Sequence, residues 1–196
     1  MVSVGEGTYA EDWAKKNSIQ HNIRKAPADV PIASGTCGDN ATWALYVNGT
    51  LKIGGSGAMT NYADYYDAPW TDYRNKITTI EIGPEITAIG DRSFYGSSLT
   101  NVIFAENGKL TRIGQYAFYY QSKLAEIHLP ESIEEIDFCA FARCTGLTSV
   151  YIPNGAKQIS NGAFAKCDLT KLVVSVGEGT YAQSWAKKND VTYTIH

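Results

Sequence analysis

Apolar residues recur along the second half of the chain in a fixed, non-helical pattern. Each unit opens with a strand-like segment that is apolar at its first, fourth and sixth positions. A second apolar pair and a small residue followed by Phe come next. The unit beginning at Leu147 contains Leu147, Val150, Ile152, Ala156, Ile159 and Phe164. Alternating apolar positions predict short strands, with the intervening residues pointing outward.

The units repeat with a spacing of 22 to 25 residues and begin at Ile77, Leu99, Leu124, Leu147 and Leu169. Self-similarity at this period predicts a solenoid. One unit buries about six apolar side chains, each contributing ~1.5–3 kcal/mol. Ordering its residues costs roughly 35 kcal/mol. A single unit is therefore not expected to fold, and the units must stack.

Stacking in register predicts one internal column and two external stripes. The internal column is aromatic and comprises Phe94, Phe118, Phe141 and Phe164. The external stripes follow the outward positions of the main strand. These are Thr79 and Glu81, Asn101 and Ile103, Glu126 and His128, Ser149 and Tyr151, and Lys171 and Val173.

The region before the units has a different pattern. Apolar and polar residues alternate on both sides of Asn48-Gly49, the dipeptide typical of a tight β-hairpin turn. We therefore predict strands over 42–47 and 50–54, which would cover the first coil.

The two ends of the chain have nearly the same amino-acid sequence. Residues 2–23 and 174–195 are identical at 15 of 22 positions. Each copy predicts a short helix followed by a strand, and Thr180 with Gln183 forms a capping box in the second. The second copy is expected to close the solenoid. The first is interpreted as the tail of a preceding module in a longer parent protein, docked on a neighbour or partly disordered; docking on its own repeats is the alternative.

These patterns divide the chain into five predicted parts. They are 1–23, the tail of a preceding module; 24–34, a linker; 35–76, an N-terminal hairpin and aromatic cap; 77–174, the repeat array; and 175–196, a C-terminal helix-strand cap.

Composition excludes several classes of function. A net charge of −3 and a pI near 5.6 leave no basic patch for nucleic acid. No apolar run reaches the ~18 residues of a membrane span. The start of the chain lacks the features of a signal peptide, which suggests either the cytoplasm or a chain cut from a longer precursor. The repeated ends favour the second reading.

The chain offers little for chemistry. It has three histidines and four cysteines, no C-x-x-C pair and no catalytic motif. Cys144 and Cys167 occupy the same place in adjacent units, where neighbouring strands are close enough for a disulfide. A ladder of buried thiols is the favoured alternative. We expect no catalytic residue, no metal site and no cofactor.

The units LTSVYIPNGAKQISNGAFAKC and LAEIHLPESIEEIDFCAFARC resemble the BspA-like class of bacterial leucine-rich repeats. The resemblance extends from Ser34 to Ile195, although Gln121 replaces the usual Cys in the second unit. It implies a mainly β fold, α+β at the caps. The expected architecture is a right-handed leucine-rich-repeat solenoid of about five short coils, with an N-terminal β-hairpin cap and a C-terminal helix-strand cap.

The resemblance also implies a non-catalytic adhesion module of a bacterial surface or secreted protein, outside the cell or on its surface. The expected partner is a host or microbial surface or matrix protein, with further contact to neighbouring copies through residues 1–23. Recognition would use the outward strand residues Ile103, Glu126, His128, Ser149 and Tyr151. The alternative is that the β-branched and aromatic residues among them are there because such residues favour strands.

Two other functions remain open. One is a structural spacer built from tandem modules of about 172 residues. The other is glycan binding through an aromatic segment, in which rings interleaved with Asp could stack on sugars; the alternative there is packing of the front cap onto the first coil. The segment contains Tyr62, Tyr65, Tyr66, Trp70 and Tyr73.

Overall fold

The computed structural model describes residues 2–5, 21–24, 30–96 and 98–196, which form a mainly β chain with one α-helix. The strands are β1 (Val2–Gly5), β2 (His21–Arg24), β3 (Ala33–Thr36), β4 (Asn40–Leu45), β5 (Thr50–Ala58), β6 (Thr79–Ile82), β7 (Ile86–Ile89), β8 (Asn101–Phe104), β9 (Arg112–Ile113), β10 (Glu126–His128), β11 (Glu135–Ile136), β12 (Ser149–Tyr151), β13 (Gln158–Ile159), β14 (Val173–Val176) and β15 (Thr192–Ile195). The helix α1 spans Tyr181–Lys188, and a 3-10 helix spans Thr71–Tyr73.

Each of the first four coils contributes one strand to each of two parallel sheets, and the fifth contributes β14 to the first sheet alone. The first sheet comprises the start of β5, then β6 and β8, and beyond them β10, β12, β14 and β15. The second sheet comprises the end of β5, then β7, β9, β11 and β13. The fold class is therefore confirmed.

Strand β5 belongs to both sheets, because it turns a corner at its glycines. Gly55 has φ +74°, and a Cβ there would collide with the backbone oxygen of Asn40. Glycine accepts both the positive φ and the close approach. The predicted hairpin is confirmed and acquires a third strand, since β3 pairs antiparallel with β4.

The third side of each coil is a turn that carries the predicted internal aromatic column. Phe94, Phe118, Phe141 and Phe164 stack with ring centroids 5.2, 5.2 and 5.3 Å apart. Two tryptophans from the caps extend the column. Trp70 lies 5.4 Å from Phe94, and Trp185 of α1 lies 5.5 Å from Phe164. The inner column, defined by these six residues, thus links both caps to the repeats.

A column of hydrogen-bond donors runs beside the inner column, with Gln121 and Cys144 buried and Cys167 half-buried. The Cys144 and Cys167 thiols donate to the carbonyl oxygens of Phe118 and Phe141, at 3.1 and 3.2 Å. Gln121 donates through its amide to the carbonyl of Phe94. All four cysteines are free, so the thiol alternative is the one observed. Gln121 replaces Cys here because both side chains satisfy a buried carbonyl of the preceding coil.

The C-terminal cap forms as its sequence predicts, with one difference. The Gln183 backbone N–H donates to the Thr180 hydroxyl, and the Gln183 side chain accepts from the Gly179 N–H. On the predicted apolar face of α1, Trp185 is buried, whereas Tyr181 is 46% exposed. The predicted helix of the first copy lies outside the described residues.

The strands of the two end copies pair identically. Val2 pairs with His21 and Val4 with Ile23 in parallel register. The positions 172 residues later pair the same way, since Val174 pairs with Tyr193 and Val176 with Ile195. Each copy is therefore a strand, an intervening segment and a second strand in parallel with the first.

The predicted start of the fifth unit is wrong. The Asp168 carboxylate accepts from both the backbone N–H and the hydroxyl of Thr170, which forms a tight turn. Leu169 projects from this turn and is 39% exposed, whereas Leu172 is fully buried. Leu172, not Leu169, therefore fills the inward position.

This turn also shifts the outward residues of the fifth unit. Ser149 pairs with Val173 and Tyr151 with Ser175. The outward pair of β14 is therefore Val173 and Ser175, and the predicted pair of Lys171 and Val173 is wrong by two residues.

Candidate functional site

A column of stacked rings lies on the outer face of the first sheet. His128 on β10 and Tyr151 on β12 are register partners. Their ring centroids are 3.9 Å apart, and the planes of the two rings are nearly parallel. His196, which follows β15, extends the column, with its ring 4.4 Å from that of Tyr151. We call His128, Tyr151 and His196 the outer column.

Polar neighbours fix the rings of the outer column. The Tyr151 hydroxyl donates to the Glu131 carboxylate at 2.6 Å. This hydrogen bond raises the pKa of Tyr151 to about 12. The Ser175 hydroxyl and the His196 Nδ1 share a hydrogen bond of 3.0 Å. The stacked rings are thus held in place while remaining at the surface.

The predicted face residues fall into two groups. Glu126 and Ser149 are exposed register partners beside the outer column. Ile103 is 45% exposed on β8. It is separated from His128 because β8 pairs with β6 alone and β10 with β12 alone. The outer face of the first sheet is therefore interrupted by an opening between β8 and β10.

A groove fills this opening, with a volume of about 520 Å³. It lies between β8 and the segment that follows it on one side, and the end of β10 on the other. We call it the β8–β10 groove. Its lining comprises 102–108 and 128–132. A second depression of about 240 Å³ adjoins it and reaches Glu126, Ser149 and Tyr151.

The aromatic segment does not form one surface. Trp70 is 3% exposed. Its indole N–H donates to the Ser93 carbonyl at 2.9 Å. Tyr62 and Tyr73 are partly buried against the core. Trp70 belongs to the inner column and is not available to stack on a sugar, so cap packing accounts for these three residues.

Tyr65 and Tyr66 lie instead in a cluster on the outer surface of the coil turns. Tyr65 stacks against Tyr95 and Tyr119, with centroids 4.5 and 5.7 Å away. The Arg92 guanidinium lies 5.7 Å from the Tyr65 ring centroid. Tyr95 and Tyr119 occur one repeat apart, each directly after a phenylalanine of the inner column. Sequence reasoning missed the cluster because Tyr65 precedes the array and meets these rings only in the folded chain.

Sequence reasoning also missed Glu131 and His196 at the outer column. Glu131 follows β10 and becomes a neighbour of Tyr151 only when the coils stack. His196 reaches the column because β15 pairs with β14. Near Glu131, the only feature that the sequence pattern marked was Pro130, which ends the strand segment of the third unit.

The described residues provide little for catalysis. They contain no group of three or more His, Cys, Asp and Glu side chains that could hold a metal. Burial raises the pKa of the Cys167 thiol to about 11 and that of Cys37 to about 12. Such thiols are poor nucleophiles at neutral pH.

Along 30–96 and 98–196, no helix is long and apolar enough to cross a membrane.

The repeat units match a known family. The family model described as the BspA type leucine-rich repeat region matches residues 72–186, with six copies. This chain belongs to the BspA-type leucine-rich repeat family. No curated protein matches the sequence.

Two solved structures are similar. A leucine-rich repeat protein from Eubacterium ventriosum is 25% identical, with a TM-score of 0.57; the match covers 74% of this chain and 45% of that chain. A leucine-rich cell surface protein from Faecalibacterium prausnitzii is 18% identical, with a TM-score of 0.34; the match covers 78% of this chain and 55% of that one.

The BspA-type repeat family is one of bacterial surface proteins, in which the repeats generally serve protein interaction. The family and its fold are typically non-catalytic. The chain spans about 45% of the length of the Eubacterium ventriosum protein.

Proposed function

We propose that this chain is an extracellular adhesion module that binds a host or microbial surface or matrix protein through the outer face of its first sheet. The outer column supports this most directly. Cross-strand aromatic pairs stabilise a sheet by only about 0.2–1 kcal/mol, whereas rigid aromatic rings at the surface are frequent anchors of protein interfaces.

The surroundings of the column fit the same role. Glu126 and Ser149 are exposed polar residues at its rim, and Ile103 is an exposed apolar residue across the groove. Interfaces combine an aromatic or apolar centre with a polar rim. The face spans consecutive coils, as binding surfaces of solenoids do.

Substitution of the column tests this function. The double variant His128→Ala, Tyr151→Ala is compared with the native chain for binding to a panel of purified matrix proteins and to intact host cells. We expect at least a tenfold loss of affinity, since two central anchors are removed. The Tm should change little because both residues lie at the surface.

The second sheet offers a matched control. Lys157 and Gln158 are exposed, and each contacts a glutamate of the neighbouring coil. The double variant Lys157→Ala, Gln158→Ala should bind as the native chain does. If the His128→Ala, Tyr151→Ala variant bound as tightly as the native chain, the outer face of the first sheet would not be the binding surface.

A second function, a spacer built from tandem modules, is favoured by the identical register of the two end copies. In this view β1 and β2 are the closing strands of a preceding module. A designed concatemer of one, two and three copies of residues 24–195 tests it by small-angle X-ray scattering. Rigidly joined modules predict a maximum dimension that grows linearly with copy number, whereas flexibly linked modules grow more slowly.

A further inference from the structure

The first sheet opens between β8 and β10, while the second sheet does not. Each of the other neighbouring strands of the first sheet pairs in parallel, from β5 through β8 and from β10 through β15. In the same two coils, β9 and β11 remain paired in the second sheet. The coils are therefore held together on one side and separated on the other.

The segment that follows β8 explains this opening. In the second unit, Phe104 and Leu110 are six positions apart. Only four positions separate the equivalent pairs of the first, third and fourth units, which are Ile82 and Ile86, Leu129 and Ile133, and Ile152 and Ala156. The additional residues follow β8, where Asn107 adopts φ +53°. The Lys109 N–H then returns to the Pro84 carbonyl of the preceding coil. The additional residues after β8 therefore pack against the preceding coil. Strand β8 has no pairing partner on the side that faces β10.

At the opening, the inward strand residues are slightly more exposed than in the other coils. Val102 and Ile127 are 8% and 4% exposed, whereas Ile80, Val150 and Val174, at the same strand position, are fully buried. Phe104 is partly buried beside the groove. The β8–β10 groove therefore has an apolar floor.

The rim of the groove is acidic. Glu106 and Glu131 line the groove, and Glu126 lines the adjoining depression. None of the three pairs with a lysine or arginine in the described residues, and neither lining contains one. Elsewhere along the coils, acidic side chains are paired, as Glu85 is with Lys109 and Glu134 with Lys157.

We propose that the β8–β10 groove binds an extended basic segment of the partner protein. An arginine or lysine side chain would lay its aliphatic stem over Ile103 and Pro130 and place its cation between Glu106 and Glu131. Such side chains cover apolar surface while keeping their charge at a polar rim. The inference rests on the proposed function and names the chemistry of the partner.

Three observations favour this occupant over others. The volume of about 520 Å³ is within the range of ligand sites. The charge complements a cation and repels an anion. The facing edges of β8 and β10 are unpaired, and unpaired strand edges bind extended peptides through their backbone. An extended basic segment meets all three conditions.

The probe is the peptide acetyl-VRVRV-amide, titrated into the isotopically labelled full chain and followed by NMR. Acetyl-VQVQV-amide and acetyl-VEVEV-amide are the neutral and acidic matches. We expect the basic peptide to shift the signals of 102–108 and 128–132 and to bind at least tenfold more tightly than the neutral one. Affinity should fall with added salt.

The double variant Glu106→Gln, Glu131→Gln removes the charge but keeps an acceptor for the Tyr151 hydroxyl. It should weaken binding of the basic peptide at least tenfold. The double variant Glu134→Gln, Glu178→Gln removes the same charge from exposed positions away from the groove and should change binding less than twofold. An equal loss in both variants would mean non-specific attraction and would overturn the proposal.

Other occupants give other results. Equal binding of the neutral peptide would indicate a purely apolar ligand. Groove signals that shift on concentrating the protein alone would indicate a second copy of the chain. Either result overturns the proposal. If the basic peptide does not bind the groove but matrix adhesion still depends on His128 and Tyr151, the groove proposal is wrong and the proposed function stands. If the peptide binds the groove but the chain adheres to no matrix protein or cell, the proposed function is wrong and the groove proposal stands.

Discussion

The inner and outer columns are both stacks of rings generated by one repeat, yet they differ in every other respect. The inner rings lie 5.2 to 5.5 Å apart and are buried. The outer rings lie 3.9 and 4.4 Å apart, and His128 and His196 are exposed. The coil period brings residues of successive units together; the side of the strand or turn on which a residue lies decides its burial.

The difference shows how this fold separates stability from recognition. The inner column contacts every coil and both caps, and its neighbouring carbonyls accept from Cys144, Cys167 and Gln121. The Trp70 indole N–H is also hydrogen-bonded within the protein, whereas the buried Trp185 indole N–H has no partner among the described residues. The outer column retains free surface and an acidic groove beside it. Substitutions should therefore divide into those that unfold the chain and those that alter binding.

The largest expected effect comes from the centre of the inner column. Phe118 is fully buried between Phe94 and Phe141. Phe118→Ala should lower the free energy of unfolding by about 3–5 kcal/mol, because it removes a large buried side chain and leaves a cavity. Tyr151→Ala, the matching change in the outer column, should cost no more than about 2 kcal/mol, because it removes a surface ring and one hydrogen bond.

Denaturation in urea measures both values, and Phe118→Leu is the control that retains most of the buried volume. An equal cost for Phe118→Ala and Tyr151→Ala would contradict the division between the two columns.

A smaller effect is expected from the donor column. Cys144→Ala leaves the Phe118 carbonyl without its sulfur donor and removes a fully buried side chain. It should cost about 1–3 kcal/mol. Cys144→Ser retains a donor and should cost less, which chemical denaturation of the two variants side by side would reveal. A costlier Ser variant would mean that packing, and not the hydrogen bond, determines the residue.

The smallest effect concerns pH at the outer column. The hydrogen bond to Glu131 raises the pKa of Tyr151 to about 12, above the ~10 of an unfolded tyrosine. The folded state therefore holds this proton more tightly. The associated stability is present below pH ~10 and is lost as the pH rises toward 12.

Tyr151→Phe has no proton to lose, so the stability difference between the native chain and this variant should shrink over the same pH interval. Thermal melts at several pH values compare them. A constant difference from pH 9 to 12 would contradict the hydrogen bond. Tyr46→Phe is a control, since that ring lies near Lys52 and away from the outer column.

Much of the fold was predictable from local patterns. The strand positions of the first four units, the four stacked phenylalanines, the Asn48-Gly49 hairpin and the capping box at Thr180 follow from apolar spacing and turn chemistry. The register of Glu126 with Ser149 and of His128 with Tyr151 follows too, because units of similar length stack residue on residue. These features depend on neighbours in sequence or on the repeat period.

The remaining features depend on contacts that no local pattern encodes. The burial of Trp70 and the exposure of Tyr65 come from one aromatic segment, and only its path across the first coil separates them. The exposure of Leu169 depends on the turn at Asp168. The extra length of the second unit was visible in the sequence, but the side of the coil that would absorb it was not.

The sequence by itself therefore determined the solenoid, its inner column and the outward positions that a partner can reach. Only the tertiary structure decided that β8 and β10 separate, that Glu106 and Glu131 line the same groove, and that His196 joins the outer column. The physical reason is that periodic burial is a property of each unit, whereas an opening between units depends on how unequal coils share one stack.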